Sequence, residues 1–294
     1  MVPDDPKGWS VLGRTLYQLG AKDQALDAMN KAEKLGDKSK EMYTFRARAR
    51  IDKKDYEGAM ADYAKGEPQP EDNVRMAQIQ AIQGNTARAE SLYKNMVSQD
   101  STSSSAKFAM FELGKQRYRQ KDYPGAISFL TRRIALDPNN DEAYYYLGLS
   151  YSQLKQYPEA IAALRQSVRL APNKADRHLW LGMVSISADS ASNGIPELMR
   201  AIELDSTGTS KNSGFALQQV GYYTLLSKKW NEAVGYLERS TAINDQDAQT
   251  WLWLAQGYQN SGNKAKACDA YDRALALDPN QAVALKAKKT LGCP

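Results

Sequence analysis

Apolar side chains along this chain return at i, i+3, i+4 and i+7 in short stretches broken by polar turns, most plainly over residues 141–174. Tyr144, Leu147, Gly148 and Tyr151 make the stripe of one amphipathic helix. Lys155-Gln156-Tyr157-Pro158 interrupts it, with Pro158 suited to the first turn of a new helix. Ala160, Ile161, Leu164 and Val168 form a second stripe, and Pro172 ends it, because proline has no amide hydrogen to donate. Two short helices joined by a tight turn predict an antiparallel pair.

The pair recurs at a period of 34 residues, marked in two ways. A small residue is followed twelve positions on by another: Gly13 and Ala25, Ala47 and Ala59, Ala77 and Ala89, Gly114 and Ala126, Gly148 and Ala160, Gly182 and Gly194, Gly221 and Ala233, Ala255 and Ala267. Four positions further stands a large side chain: Met29, Tyr63, Tyr93, Leu130, Leu164, Leu198, Leu237, Tyr271. Eight matches at both marks predict stacked helical hairpins. Their units are expected at 6–39, 40–69, 70–103, 107–140, 141–174, 175–208, 214–247 and 248–281. The small residues would let paired backbones approach closely, so Gly148→Leu should cost about 1–3 kcal/mol by overpacking.

The last complete unit carries Trp251, Leu254, Ala255, Tyr258, Gly262, Ala267, Tyr271, Ala274 and Pro279. This resembles the tetratricopeptide repeat, whose pattern is W-x2-L-G-x2-Y followed by A-x3-F and a closing proline. The resemblance implies an all-α, right-handed superhelical solenoid of about eight helix-turn-helix hairpins. Residues 1–103 would hold units one to three, 107–281 units four to eight, and 282–294 a C-terminal capping helix and tail.

Departures from the pattern carry their own expectations. Arg46 and Arg50 stand where leucine and tyrosine are usual, and Arg46 is placed to reach Asp62 on the partner helix. Met96 and Arg133 replace a small residue late in the second helix, which predicts looser joints there. The serine-rich stretch Gln99–Ala106 and the longer connection Thr207–Ser213 read as hinges or as tolerated loops. Lys288 and Lys289 fall where a ninth unit would want leucine and glycine, so the last helix reads as a polar cap. Pro3 stands six residues before Trp9, as Pro138, Pro172 and Pro279 stand before Tyr144, His178 and Leu285. That spacing predicts a further repeat upstream of residue 1, with a natural start and a proline-rich helix cap as the alternative.

Charge and composition narrow the function. Hydrophobic residues make up 42% and charged residues 25%, ordinary for a folded protein, and no apolar run reaches the ~18 residues of a membrane span. The net charge of +5 lies in residues 107–174, which hold 11 basic and 6 acidic side chains. This field suits an acidic partner but falls short of a nucleic-acid stripe.

Catalytic chemistry finds little support. His178 is the one histidine, at a position the repeat gives to a packing aromatic. The 19 glycines are scattered, so no phosphate loop forms, and one histidine with two distant cysteines makes no ordinary zinc site. No cofactor is expected. Cys268 and Cys293 leave two arrangements open. A bridge would staple the cap and imply a periplasmic or secreted setting; free thiols would suit the cytoplasm.

In the tetratricopeptide family the first helices line a concave face where ligands usually lie. Its exposed positions are the second, fifth, sixth, ninth, twelfth and thirteenth of each unit. Here they bring out Phe108, Phe111, Lys115, Tyr118, Arg119, Tyr145, Tyr146, Trp180, Met183, Tyr222, Leu252 and Trp253. Roughly half are expected to pack between repeats, Leu252 and Phe108 most readily. Tyr145, Tyr146, Trp180, Tyr222 and Trp253 are the expected anchors, with Lys115, Tyr118 and Arg119 beside them. The ninth positions contain no asparagine, so the clamp that grips acidic chaperone tails is absent. The expected function is a non-enzymatic scaffold that holds a peptide, helix or loop of another protein. End-to-end self-assembly and the targeting arm of a longer enzyme are the alternatives.

Overall fold

The computed structural model describes residues 4–205, 208 and 210–294, and these contain seventeen α-helices and no strand. Pro3, Thr207 and Thr209, which bear on two of the expectations above, lie outside the described residues. The chain divides into two compact units, residues 1–113 and 114–294.

The first unit holds the hairpins α1 (Pro6–Gln18) with α2 (Lys22–Lys34), α3 (Lys40–Asp52) with α4 (Tyr56–Lys65), and α5 (Pro70–Ile82) with α6 (Thr86–Gln99). Helix α7 (Ser104–Arg119) starts in this unit and runs into the next. The serine-rich stretch before it is a compact turn: Asp100 Oδ1 accepts from the Thr102 amide at 2.9 Å and from its hydroxyl at 2.8 Å.

The second unit continues with α8 (Tyr123–Leu136), α9 (Asp141–Gln153) with α10 (Tyr157–Leu170), and α11 (Ala175–Ser187) with α12 (Ala191–Leu204). Then come α13 (Lys211–Leu226) with α14 (Trp230–Ile243), α15 (Ala248–Asn260) with α16 (Lys264–Leu277), and α17 (Ala282–Leu291). From α8 onward each helix packs on its sequence neighbours.

The two sequence marks meet in space. Wherever the small residue of a first helix is glycine, it lies against the large residue sixteen positions later. A Cβ built on Gly148 would sit 2.6 Å from Leu164 Cγ, and one on Gly221 2.6 Å from Leu237 Cγ. Leu130, Leu164, Leu198, Leu237 and Tyr271 are accordingly among the fully buried side chains. The α11–α12 pair is tighter still, because both contact residues are glycine: a Cβ on Gly194 would meet the Gly182 carbonyl oxygen at 2.6 Å.

Every hairpin turn also places one residue in the left-handed region. Glycine serves at Gly20, Gly84 and Gly262, but Lys54, Lys121, Lys155, Asp189 and Lys228 take the same place with φ between 57° and 63°. Side chains pay for that conformation with a Cβ–carbonyl clash of about 1–2 kcal/mol. Lysine recovers part of it by setting a positive charge at the end of a helix.

Where charges enter the hairpin seam they are paired. Arg46 reaches Asp62 as expected, and Arg50 joins from 2.9 Å. Arg48 binds Asp72 through Nε at 2.8 Å and Nη2 at 2.6 Å, and the Tyr63 hydroxyl donates to the same buried carboxylate at 2.9 Å. Met96 and Arg133 are both buried; Arg133 Nη2 donates to Asp137 at 2.9 Å, while its Nε and Nη1 have no hydrogen-bond partner among the described residues. His178 is buried too, its Nδ1 2.6 Å from Glu197 Oε2 and its Nε2 2.9 Å from the Pro172 carbonyl. Those contacts tie α11 to α12 and to the preceding turn.

Candidate functional site

The expected anchors all lie in residues 114–294, on the first helices of successive hairpins. Lys115, Tyr118, Tyr145, Tyr146, Trp180, Tyr222 and Trp253 are half-buried, and Arg119 is exposed. Leu252 and Phe111 are buried, and Phe108 is half-buried with its ring 6.2 Å from that of Tyr93.

The rings form two groups. In the first, Tyr146 meets Tyr118 at 5.7 Å and Tyr145 at 5.4 Å, both edge-on, and Tyr118 also meets Tyr123 at 5.8 Å. Tyr145 and Trp180 pack against the buried cluster of Ala160, Leu164, Leu181 and Val184. In the second, Tyr222 stacks on Trp253 at 4.4 Å with 27° between planes, and Tyr223 flanks Tyr222 at 5.2 Å. Offset and edge-on pairs such as these are the favoured aromatic geometries, and they hold the rings in fixed mutual positions.

Arg177 belongs to the first group, although the pattern of apolar positions does not mark it. Its guanidinium lies 4.0 Å from the Tyr145 ring centre. Asp141 Oδ2 accepts from its Nε at 3.1 Å and its Nη2 at 2.9 Å, while Asp176 accepts from Nη1 at 2.8 Å. Lys174 reaches Asp141 from 3.0 Å. Burial raises the Tyr145 and Tyr118 phenols above their ordinary range, with nearby Asp176 adding to it at Tyr145. Both rings therefore stay neutral at physiological pH and offer hydroxyl donors. Arg119, by contrast, is exposed and has no ion-pair partner among the described residues.

At the C-terminal end, Cys268 and Cys293 are bonded, with Cα atoms 5.6 Å apart, which ties the second residue after α17 to α16. Lys288 of α17 pairs with Asp272, and Ala284 is buried beneath the helix. Among the described residues no three His, Cys, Asp or Glu side chains converge on a metal-sized site, and no helix is long and apolar enough to cross a membrane.

Comparison with known proteins fits this geometry. Residues 10–73 and 248–281 match two tetratricopeptide-repeat family profiles, and residues 76–175 match the profile of anaphase-promoting complex, cyclosome, subunit 3. No curated protein matches the chain by sequence. Among solved structures, the C-terminal part of a TPR repeat-containing protein from Cytophaga hutchinsonii is similar at a TM-score of 0.62 and 20% identity, over 94% of this chain and 98% of that one. YrrB, described as a TPR protein with an unusual peptide-binding site, is similar at 0.58 and 22% identity, over 67% and 97%. PilF of Pseudomonas aeruginosa is similar at 0.59 and 15% identity, over 75% and 97%. By its repeat marks, its paired helices and these matches, the chain is a tetratricopeptide-repeat protein.

Proposed function

We propose that the chain is a protein-interaction scaffold whose first helices, over residues 114–294, hold an extended or helical segment of another protein. The observation that carries this reading is the set of half-exposed, mutually ordered rings: Tyr118, Tyr145 and Tyr146 in one group, Tyr222 and Trp253 in the other. A surface meant only for water has no use for so many large rings held in place. Arg119, next to Tyr118 in sequence, adds a positive charge with no ion-pair partner among the described residues, so the preferred segment carries apolar side chains and an acid. The likeness to YrrB, itself described as having a peptide-binding site, supports the same reading. The bonded cysteines support an oxidising compartment.

The test is affinity capture of the partner from native extract, followed by calorimetry on the identified segment. Tyr146→Ala combined with Trp253→Ala should weaken binding tenfold or more while circular dichroism stays unchanged. Equal affinity for the wild type and the folded double variant would overturn the site.

A further inference from the structure

Most of the charge excess in residues 107–174 lies outside the ring groups. Eleven basic and six acidic side chains leave +5 there, and α8 with α10 hold four arginines and one acid, or +3 of it. Arg133 is buried and pairs at 2.9 Å with Asp137, the residue that caps α8. Arg132, Arg165 and Arg169 are exposed and in no ion pair among the described residues. Helix α9 packs on both α8 and α10, so the three arginines belong to neighbouring helices.

The rest of this outer face is small or uncharged, with Ser128, Thr131, Ala135 and Ala162 exposed between the arginines. Glu159, in the first turn of α10, is the one acid of the two helices. No large apolar side chain of α8 or α10 is exposed. Helices α14 and α16, the second helices of later hairpins, differ: they expose Glu232, Glu238, Asp269 and Asp272 against four basic side chains. Local stability does not explain the difference. Arg165 and Arg169 stand at i and i+4, where like charges repel. A cation in the last turn suits the helix dipole, which accounts for Arg169 but not for Arg165 or Arg132.

We infer that the outer face of α8 and α10 rests on a membrane surface rich in anionic phospholipid, with Arg132, Arg165 and Arg169 on the headgroup phosphates. A guanidinium group meets phosphate oxygens through two parallel hydrogen bonds, and an anion between Arg165 and Arg169 relieves their repulsion. A protein partner would need an apolar anchor and a nucleic acid a longer basic stripe; this face has neither. Each arginine beside an anionic bilayer strengthens partitioning about fivefold, and three on the order of a hundredfold. The three fall at the twenty-fifth, twenty-sixth and twenty-ninth positions of their units, on second helices rather than on the first helices that line the family's concave face. No residue is shared with the ring groups, so this inference and the scaffold reading fail separately.

The probe is a pair of vesicle preparations, phosphatidylcholine alone and an equal mixture of phosphatidylcholine and phosphatidylglycerol. Co-sedimentation should find the protein on the anionic vesicles and not on the neutral ones, with binding that falls as salt is raised. Arg165→Gln with Arg169→Gln should weaken partitioning at least tenfold, and adding Arg132→Gln should bring it to the level of neutral vesicles. All three side chains are exposed, so the fold survives, and circular dichroism checks it. Arg239→Gln with Arg273→Gln, on the balanced face of α14 and α16, should leave binding unchanged, as should Tyr146→Ala with Trp253→Ala. An equal loss in either control pair would overturn the assignment to α8 and α10. Equal binding to both vesicles, absence from the anionic ones, or indifference to the arginine substitutions would overturn the membrane reading. Glycerol phosphate should not displace the protein; displacement would assign the arginines to a soluble phosphate instead. Tighter binding to a DNA duplex or to polyglutamate than to the vesicles would likewise overturn it.

Discussion

Arg46 and Asp62 face each other across the α3–α4 hairpin, in a seam that other repeats fill with apolar side chains. Nε lies 2.8 Å from Oδ2 and Nη2 2.7 Å from Oδ1, with both side chains at most 2% exposed. Two parallel charge-assisted bonds suit the planar guanidinium, yet desolvating both charges offsets much of the gain. Replacing either partner alone with alanine should cost about 1–3 kcal/mol, because the survivor loses its two-bond partner in the seam and keeps only Arg50 beside Asp62, or Glu33 beside Arg46. Replacing both with leucine should cost much less. Urea unfolding of the three variants checks this, and equal losses in all three would contradict it.

Glu33 couples the same arginine to pH. A hydrogen bond from Arg46 Nη1 at 2.5 Å holds the Glu33 carboxyl at about 2, against an ordinary 4.5. A group depressed in the folded state contributes stability that is complete above its unfolded value and fades as pH falls toward its folded one. Glu33→Gln should therefore be destabilising above pH 4.5, with the gap from the wild type closing by about pH 2. Thermal melts across that window would reveal it. A gap constant with pH would remove Glu33 from the acid response.

The glycine marks differ in how much room they leave. At Gly148 an added methyl group meets the buried Leu164 side chain at 2.6 Å and a backbone oxygen, that of Ala160, only at 3.1 Å, whereas at Gly194 it meets the Gly182 backbone oxygen at 2.6 Å. Gly194→Ala should thus cost more than Gly148→Ala, and Gly148→Leu about 1–3 kcal/mol or more. Chemical denaturation of the three orders them.

Loss of the bridge should loosen the C-terminal end. The bond closes a separation of 25 residues, so Cys268→Ala with Cys293→Ala should lose about 2–4 kcal/mol from the unit that contains it. Mass spectrometry without reductant should find neither thiol open to alkylation, and two alkylated cysteines would contradict the bond.

At the turns, Lys155→Gly should leave stability unchanged or raise it by up to about 1 kcal/mol. Relief of the left-handed strain outweighs, or at least matches, the extra freedom that glycine gives the unfolded chain. A lower melting temperature would show that the lysine earns its place through the helix end.

Much of this architecture is legible in the sequence, for a physical reason. Gly148, Ala160 and Leu164 lie within seventeen residues of one another, and a tight turn leaves two helices few ways to meet. Arg46 and Asp62 are readable for the same reason: both sit inside a single hairpin. Contacts between hairpins are harder to read. The stacking of Tyr222 on Trp253 spans 31 residues, and the hold of Asp141 on Arg177 spans 36. Each depends on how far one hairpin rotates on the next, which periodicity does not encode.

Five turns built on lysine or aspartate rather than glycine give this array an adjustable thermal margin. None of Lys54, Lys121, Lys155 and Asp189 sits among the residues proposed to bind, so a descendant could grow sturdier or softer by single exchanges at these four corners. Its choice of companion would be inherited intact.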